Sequence, residues 1–269
     1  MLDRLFTPWG AYQELRDQLG SIRGVYLAGN KITRRDDFKG REEIVLLLHG
    51  FFQTRNIWEV MEDRLRFDGY AVVSFNLGGW LYRFNTHPID KLTERIAEKV
   101  EHLAVRHGFE RLHIVGHSKG GLLARRYVQH FGGDRRAKSV ITLGTPHHGT
   151  PTALAGVALS GLLRAETSAK EMLPRSPLME RLNTDHFPAD IPLVSIYSRA
   201  DLVCPYWCSI LRPRPEEGDM ENIEVPGVGH SAMTWDTRVY HHVRRALGEA
   251  SAAWRARDEA ALATGGVCR

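Results

Sequence analysis

The stretch Arg111 to Phe131, RLHIVGHSKGGLLARRYVQHF, constrains this chain more than any other. Leu112, Ile114 and Val115 form an apolar run too short for a helix and β-branched enough for a buried strand. Gly116-His117-Ser118-Lys119-Gly120 follows at once. Leu122, Leu123, Tyr127, Val128 and Phe131 then recur at helical spacing, and Gly132-Gly133 supplies a stop. Strand, G-x-S-x-G, helix is the setting that a nucleophile elbow requires. A serine in so tight a turn takes a strained backbone, and Gly116 and Gly120 let strand and helix meet without Cβ clashes. The hydroxyl projects outward, and the first N–H groups of the new helix face any anion formed beside it. The pentapeptide alone arises often by chance. The strand before it and the helix after it give it meaning.

Around this centre the chain has 269 residues, 43% of them apolar, enough to bury a sizeable core as one α/β domain over 1–269. A net charge of +4 is only mildly basic. The arginine pairs (Arg34-Arg35, Arg125-Arg126, Arg135-Arg136, Arg244-Arg245) lack the dense interleaving of a nucleic-acid surface, so no nucleic-acid partner is expected. They fit solvated helix faces, with a weak transient attraction to lipid surfaces as the minority reading. Three cysteines cannot make a disulfide framework. Cys204 and Cys208 are close enough for a local bridge, Cys268 lies in the tail, and all three read as free thiols. No closed zinc spacing stands near them, so neither metal nor cofactor is expected. Asp3 and Arg4 occupy the place where a signal peptide would carry its apolar core, which for the chain as written points to the cytoplasm. No stretch reaches transmembrane length.

In chain order, Leu2, Leu5, Phe6, Trp9, Tyr12, Leu15 and Leu19 form an amphipathic opening stripe, and Val25 to Leu27 an edge strand. Ile44 to Leu48 is a continuous apolar run, the pattern of a strand buried on both faces of a parallel sheet. His49-Gly50-Phe51-Phe52 follows, then a helix starting at Asn56 with Glu59 three residues on. Ala71 to Phe75 is the next strand. Ile89, Leu92, Ile96, Val100 and Leu103 mark a long helix that stops at Gly108. Beyond the elbow, Val140 to Leu143, Leu193 to Tyr197 and Ile223 to Val225 are strands. Alternation of strand and helix predicts a mostly parallel sheet with helices on both faces. The segment 151–188 departs from it and reads as a helical insertion, either a packed cap or a mobile lid.

A serine hydroxyl is a weak nucleophile. It needs an imidazole to take its proton and a carboxylate to hold that imidazole in the useful tautomer. Asp201 lies just beyond the strand ending at Tyr197, and His230 lies in the glycine-rich loop after the last strand. Serine, then acid, then histidine is the chain order of a nucleophile-elbow enzyme. Asp185, Asp190, Asp219 and Asp236 are rival carboxylates, but none follows a strand so closely. His147 and His148 precede Asp201, the wrong order for the base. A tetrahedral intermediate also needs two fixed N–H donors. Lys119, directly after the serine, and Phe51, after the His49-Gly50 strand, are the candidates.

His49-Gly50-Phe51, Gly116 to Gly121, Gly144-Thr145-Pro146-His147-His148-Gly149-Thr150, Asp201 to Pro205 and Gly229-His230-Ser231 together resemble the bacterial lipase and esterase branch of the α/β-hydrolases. The resemblance spans about Glu43 to His242. It implies the α/β-hydrolase fold, carboxylic-ester cleavage through an acyl-serine, and Ser118, Asp201 and His230 as the triad. It also implies an apolar acyl cleft, often under a helical cap, and Gly144 to Gly149 leans the expected substrate toward lipid-like esters. The family's metal sites find no matching acidic cluster. Thioester cleavage or membrane-lipid deacylation on the same triad is the alternative, and a binding module without turnover the remote one. In the insertion, Leu154, Leu159, Leu162 and Leu163 are the residues expected to line or cover the cleft, because Ala153 to Leu163 would form a helix with a wide apolar surface.

Overall fold

The computed structural model describes residues 38–78, 85–163, 168–212, 214, 218 and 220–263, without the side chains of residues 159, 160, 162 and 163. The opening stripe Leu2 to Leu19, the strand expected at Val25 to Leu27, Asp219 and Cys268 lie outside the described residues. Six strands form one sheet: β1 (Ile44–Leu48), β2 (Ala71–Ser74), β3 (Leu112–His117), β4 (Ala137–Leu143), β5 (Leu193–Tyr197) and β6 (Met220–Glu224). Their order across the sheet is β2-β1-β3-β4-β5-β6, and every neighbouring pair is parallel. The α-helices are α1 (Glu59–Phe67), α2 (Ile89–His107), α3 (Lys119–His130), α4 (Ala153–Leu163), α5 (Pro177–Thr184), α6 (Tyr206–Ser209) and α7 (Thr237–Ala263).

The apolar run of β1 is buried at all five positions because the sheet is covered on both sides. Ile44, Leu46 and Leu48 pack with Ile89, Leu92 and Ile96 of α2 and Leu122, Leu123 and Tyr127 of α3. Val45 and Leu47 point the other way, against Met61 and Leu65 of α1 and Val239, Val243 and Leu247 of α7. The period-2 alternation of a strand thus feeds two separate cores, and each such side chain contributes roughly 1.5–3 kcal/mol by burial. α2 ends where expected, at Gly108, whose φ of 73° suits the left-handed C-cap. The helix start expected at Asn56 is a 3-10 turn, Arg55–Trp58, running into α1.

Between β4 and β5 the segment 151–188 divides in two. Met172, Leu178, Met179, Leu182 and Phe187 join the core beside α3, and Ser176 caps α5 by accepting the Met179 N–H. α4 is different: its Ala153 is buried, while Leu154 is 60% exposed. The chain runs outward from β1 to β2, then crosses back to β3 on the other side of β1. Loops leaving β1 and β3 therefore part at their carboxyl ends, which opens a crevice there.

Candidate active site

Ser118 stands in that crevice, at the turn from β3 into α3. Its backbone is held at φ 54°, ψ −124°, a strain of about 1–3 kcal/mol for a residue with a Cβ. Three hydrogen bonds hold it there. Ser118 N–H donates to Leu143 O at 2.9 Å, while the Ser118 carbonyl accepts Gly121 N–H at 3.1 Å and the Thr145 hydroxyl at 3.0 Å. A Cβ on Gly120 would collide with the Leu48 carbonyl, so only glycine lets α3 begin this close to β1.

Asp201 lies in the turn after β5 and is 2% exposed. Its Oδ1 accepts the N–H groups of Val203 at 2.9 Å and Cys204 at 2.7 Å, which fixes the plane of the carboxylate. Its Oδ2 accepts His230 Nδ1–H at 2.7 Å. With the proton on Nδ1, the other ring nitrogen, Nε2, is the one able to take a proton. The end of β4 passes behind this pair as Gly144, at φ 52°; a Cβ there would lie 2.8 Å from Asp201 Oδ2 and 3.2 Å from His230 Nδ1. Ser118 and His230 both line a cavity of about 240 Å³ whose walls include Phe51, Phe52, Ile57, Pro146, Met172 and Val203. A serine, an imidazole and a carboxylate thus converge from the ends of β3, β6 and β5.

The rival groups are engaged elsewhere. Asp185 pairs with His130 at 2.7 Å, Asp236 pairs with Arg238 at 2.8 Å, and Asp190 is exposed. His147 is buried against Thr142 and Arg125, and His148 Nε2–H donates to Ile210 O.

A model of the α/β hydrolase fold family matches residues 43–166. No curated protein sequence matches the chain. Among solved structures, a lipase of Bacillus licheniformis in its mature form is similar, with a TM-score of 0.58 at 17% identity, over 81% of this chain and 96% of that one. A monoacylglycerol lipase of Paleococcus ferrophilus has a TM-score of 0.56 at 17% identity, covering 77% and 94%. A bromoperoxidase of Bacillus anthracis has a TM-score of 0.58 at 15% identity, covering 78% and 93%. The chain has the α/β-hydrolase fold.

Several side chains around the site carry no signal in the sequence. His117 Nε2–H donates to the His230 carbonyl at 2.9 Å, so the elbow itself holds the His230 backbone. Burial pushes the His117 imidazole well below its ordinary value, and the neighbouring His230 ring adds to this. Gln53 Oε1 accepts Gly50 N–H at 2.8 Å and shapes the loop that carries Phe51. Cys204 and Cys208 are free and buried; burial and the neighbouring Asp201 push the Cys204 thiol well above its ordinary value, so it lines the cavity as an inert thiol. Among the described residues no group of three or more His, Cys, Asp or Glu side chains could hold a metal ion.

Of the residues expected to line or cover the cleft, Leu154 does not line it. Leu154 faces outward, and the α4 residues that line the cavity are Ala153 and Gly156. A helix presents one stripe to a cavity, and on α4 that stripe runs through the small residues at i and i+3. The side chains of Leu159, Leu162 and Leu163 lie outside the described residues.

Proposed function

We propose that this protein hydrolyses carboxylic esters through an acyl-serine intermediate. The observation that carries the reading is the 2.7 Å His230–Asp201 bond in a cavity that His230 shares with a serine held in a strained elbow. His230 Nε2 takes the Ser118 proton as Oγ attacks the ester carbonyl. The resulting oxyanion accepts N–H groups from Phe51 and Lys119; the Lys119 N–H, first in α3, has no intrahelical acceptor of its own. Collapse releases the alcohol with the proton from His230. The same imidazole then deprotonates water, which attacks the acyl-serine and frees the acid.

Lipid-like esters are the substrate class this reading favours. The cavity walls are mostly apolar, and two of the similar structures are lipases by name. Leu154, Leu202 and Trp207 are exposed apolar side chains on segments bordering the cavity, which supports contact with a lipid surface, with α4 acting as part of the cover.

A series of nitrophenyl esters from acetate upward tests the reading. Wild type should hydrolyse them, with each buried methylene contributing about 0.8 kcal/mol, roughly fourfold in kcat/KM, until the cavity is full. A Cβ on Gly156 would already lie 3.2 Å from Ala169 Cβ and 3.3 Å from the Phe51 ring. Gly156→Leu should therefore cost longer esters about tenfold or more and acetate little. An equal loss at every chain length would remove α4 from the acyl site.

A further inference from the structure

The Gly50–Phe51 peptide decides whether the proposed oxyanion hole is open. In a trans peptide the C=O and N–H point opposite ways, and no cis bond occurs among the described residues. Whatever holds the Gly50 carbonyl therefore aims the Phe51 N–H. Two donors hold it: His49 Nδ1–H at 3.2 Å and Asn85 Nδ2 at 3.0 Å. The same Asn85 amide grips the His49 carbonyl at 2.6 Å. The tautomer of His49 follows from Leu77, whose N–H donates to Nε2 at 3.3 Å and leaves the proton on Nδ1. Gly50 also abuts the nucleophile: a Cβ on it would lie 2.8 Å from Ser118 Cβ.

Asn85 is clamped in turn. It is fully buried at φ 46°, a left-handed conformation that asparagine tolerates better than most residues. Lys119 Nζ donates to Asn85 O at 2.9 Å and to His87 O at 2.7 Å. That lysine is fully buried although it directly follows the nucleophile. Burying an ammonium is costly, and a methionine would fill similar space. What only the ammonium supplies is the grip on these two carbonyls.

We propose that Asn85 is a positioning residue for ester hydrolysis: it holds the Gly50 carbonyl so that the Phe51 N–H faces the oxyanion. Lys119 anchors Asn85 from the elbow, so both oxyanion donors are set by one residue, Lys119, through its backbone and its side chain. The inference rests on Ser118 being the ester-cleaving nucleophile.

The test compares wild type with Asn85→Gly, Asn85→Asp and Lys119→Met. Glycine suits the positive φ and keeps the carbonyl that Lys119 holds; aspartate sets a carboxylate oxygen against two carbonyls. The readouts are kcat and KM for nitrophenyl butyrate, the inhibition constant of a propyl trifluoromethyl ketone, whose hemiketal carries the oxyanion, and Tm. Deleting an oxyanion donor outright costs about 10²–10³ in kcat. A loosened donor should cost less, so Asn85→Gly is expected to lower kcat roughly 10–100-fold. KM should stay within about twofold, and the ketone should weaken by the same factor as kcat/KM. Asn85→Asp should lose at least as much, and Lys119→Met should show the same pattern at smaller size. A near-wild-type kcat in folded Asn85→Gly would overturn the proposal, as would a kcat loss with unchanged ketone affinity. Should Asn85→Gly not fold, either of those two results in Lys119→Met would overturn it instead. A wild type that neither cleaves esters nor binds the ketone would overturn the hydrolase reading, and this positioning role with it.

Discussion

Two serine–histidine–carboxylate sets sit at opposite ends of the same sheet. At the carboxyl end stand Ser118, His230 and Asp201. At the amino end, His113 on β3 places Nδ1 2.8 Å from Ser139 Oγ and Nε2 3.1 Å from Glu43 Oε2 and 3.0 Å from Ser251 Oγ. By residue type and distance the lower set is the more fully connected. Yet Ser139 is an interior residue of β4, 1% exposed, in a parallel ladder whose neighbour on β3 is His113 itself. A strand pins its side chains between layers, whereas a strained turn throws one beyond the sheet and into a cavity. The lower set therefore ties chain to chain. The Ser251 hydroxyl of α7 donates to Glu43 at 2.6 Å, and Arg255 and Lys138 add ion pairs to the same carboxylate. The two sets share residue types; what separates them is placement, with Ser118 at an elbow beside open space.

Four substitutions probe that contrast, from the largest expected effect to the smallest. Ser118→Ala should lower kcat for nitrophenyl esters by roughly four or more powers of ten with an unchanged melting temperature. Asp201→Asn should come next, at roughly 10⁴, because an asparagine amide facing Nδ1 favours the wrong imidazole tautomer. Either variant near wild-type activity would erase the distinction between the two ends.

At the lower end the effects should fall on stability. Burial by itself would raise the Glu43 carboxyl, but hydrogen bonds from His113 and Ser251 and the charge of Lys138 bring it down to about 2, from an ordinary 4.5. A folded value below the unfolded one stabilises fully above pH 4.5, and this is lost as pH falls toward 2. Glu43 is 26% exposed, so after discounting for solvent the contribution is about 1–2 kcal/mol. Glu43→Gln should lower Tm by roughly 3–6 °C at neutral pH, with the gap closing as the pH is taken down toward 2. A gap that stays constant through that range would contradict the assignment. Ser139→Ala should cost about 1 kcal/mol in urea unfolding and leave ester turnover unchanged. A turnover defect in folded Ser139→Ala would mean that the lower set reaches the chemistry.

The same physics decides which parts of the molecule are legible in the sequence. β1 and β5 can be read to the residue, because strands buried on both faces are unbroken apolar runs. β4 starts at Ala137, earlier than its apolar run, since Lys138 turns its side chain outward to the Glu42 carbonyl. β6 begins three residues before Ile223 because an edge strand can carry exposed Glu221 and Asn222. α7 carries a helical stripe, Val239, Tyr240, Val243, Ala246, Leu247 and Ala250, diluted by arginines and alanines and lying beyond the last motif. Ser118, Asp201 and His230 can be nominated because each follows a strand, and strand ends are local features. Asn85 and Gln53 cannot be found this way. Their roles depend on which carbonyls and rings the fold brings beside them, and Asn85 stands 35 residues from the Gly50 it holds.

The claim that Ser118 is the nucleophile is tested most directly by a fluorophosphonate probe read by intact mass and peptide mapping. Wild type should gain one adduct, carried by the peptide that contains Ser118, and Ser118→Ala should gain none. The absence of any adduct on folded wild type, or equal labelling of Ser118→Ala, would contradict it.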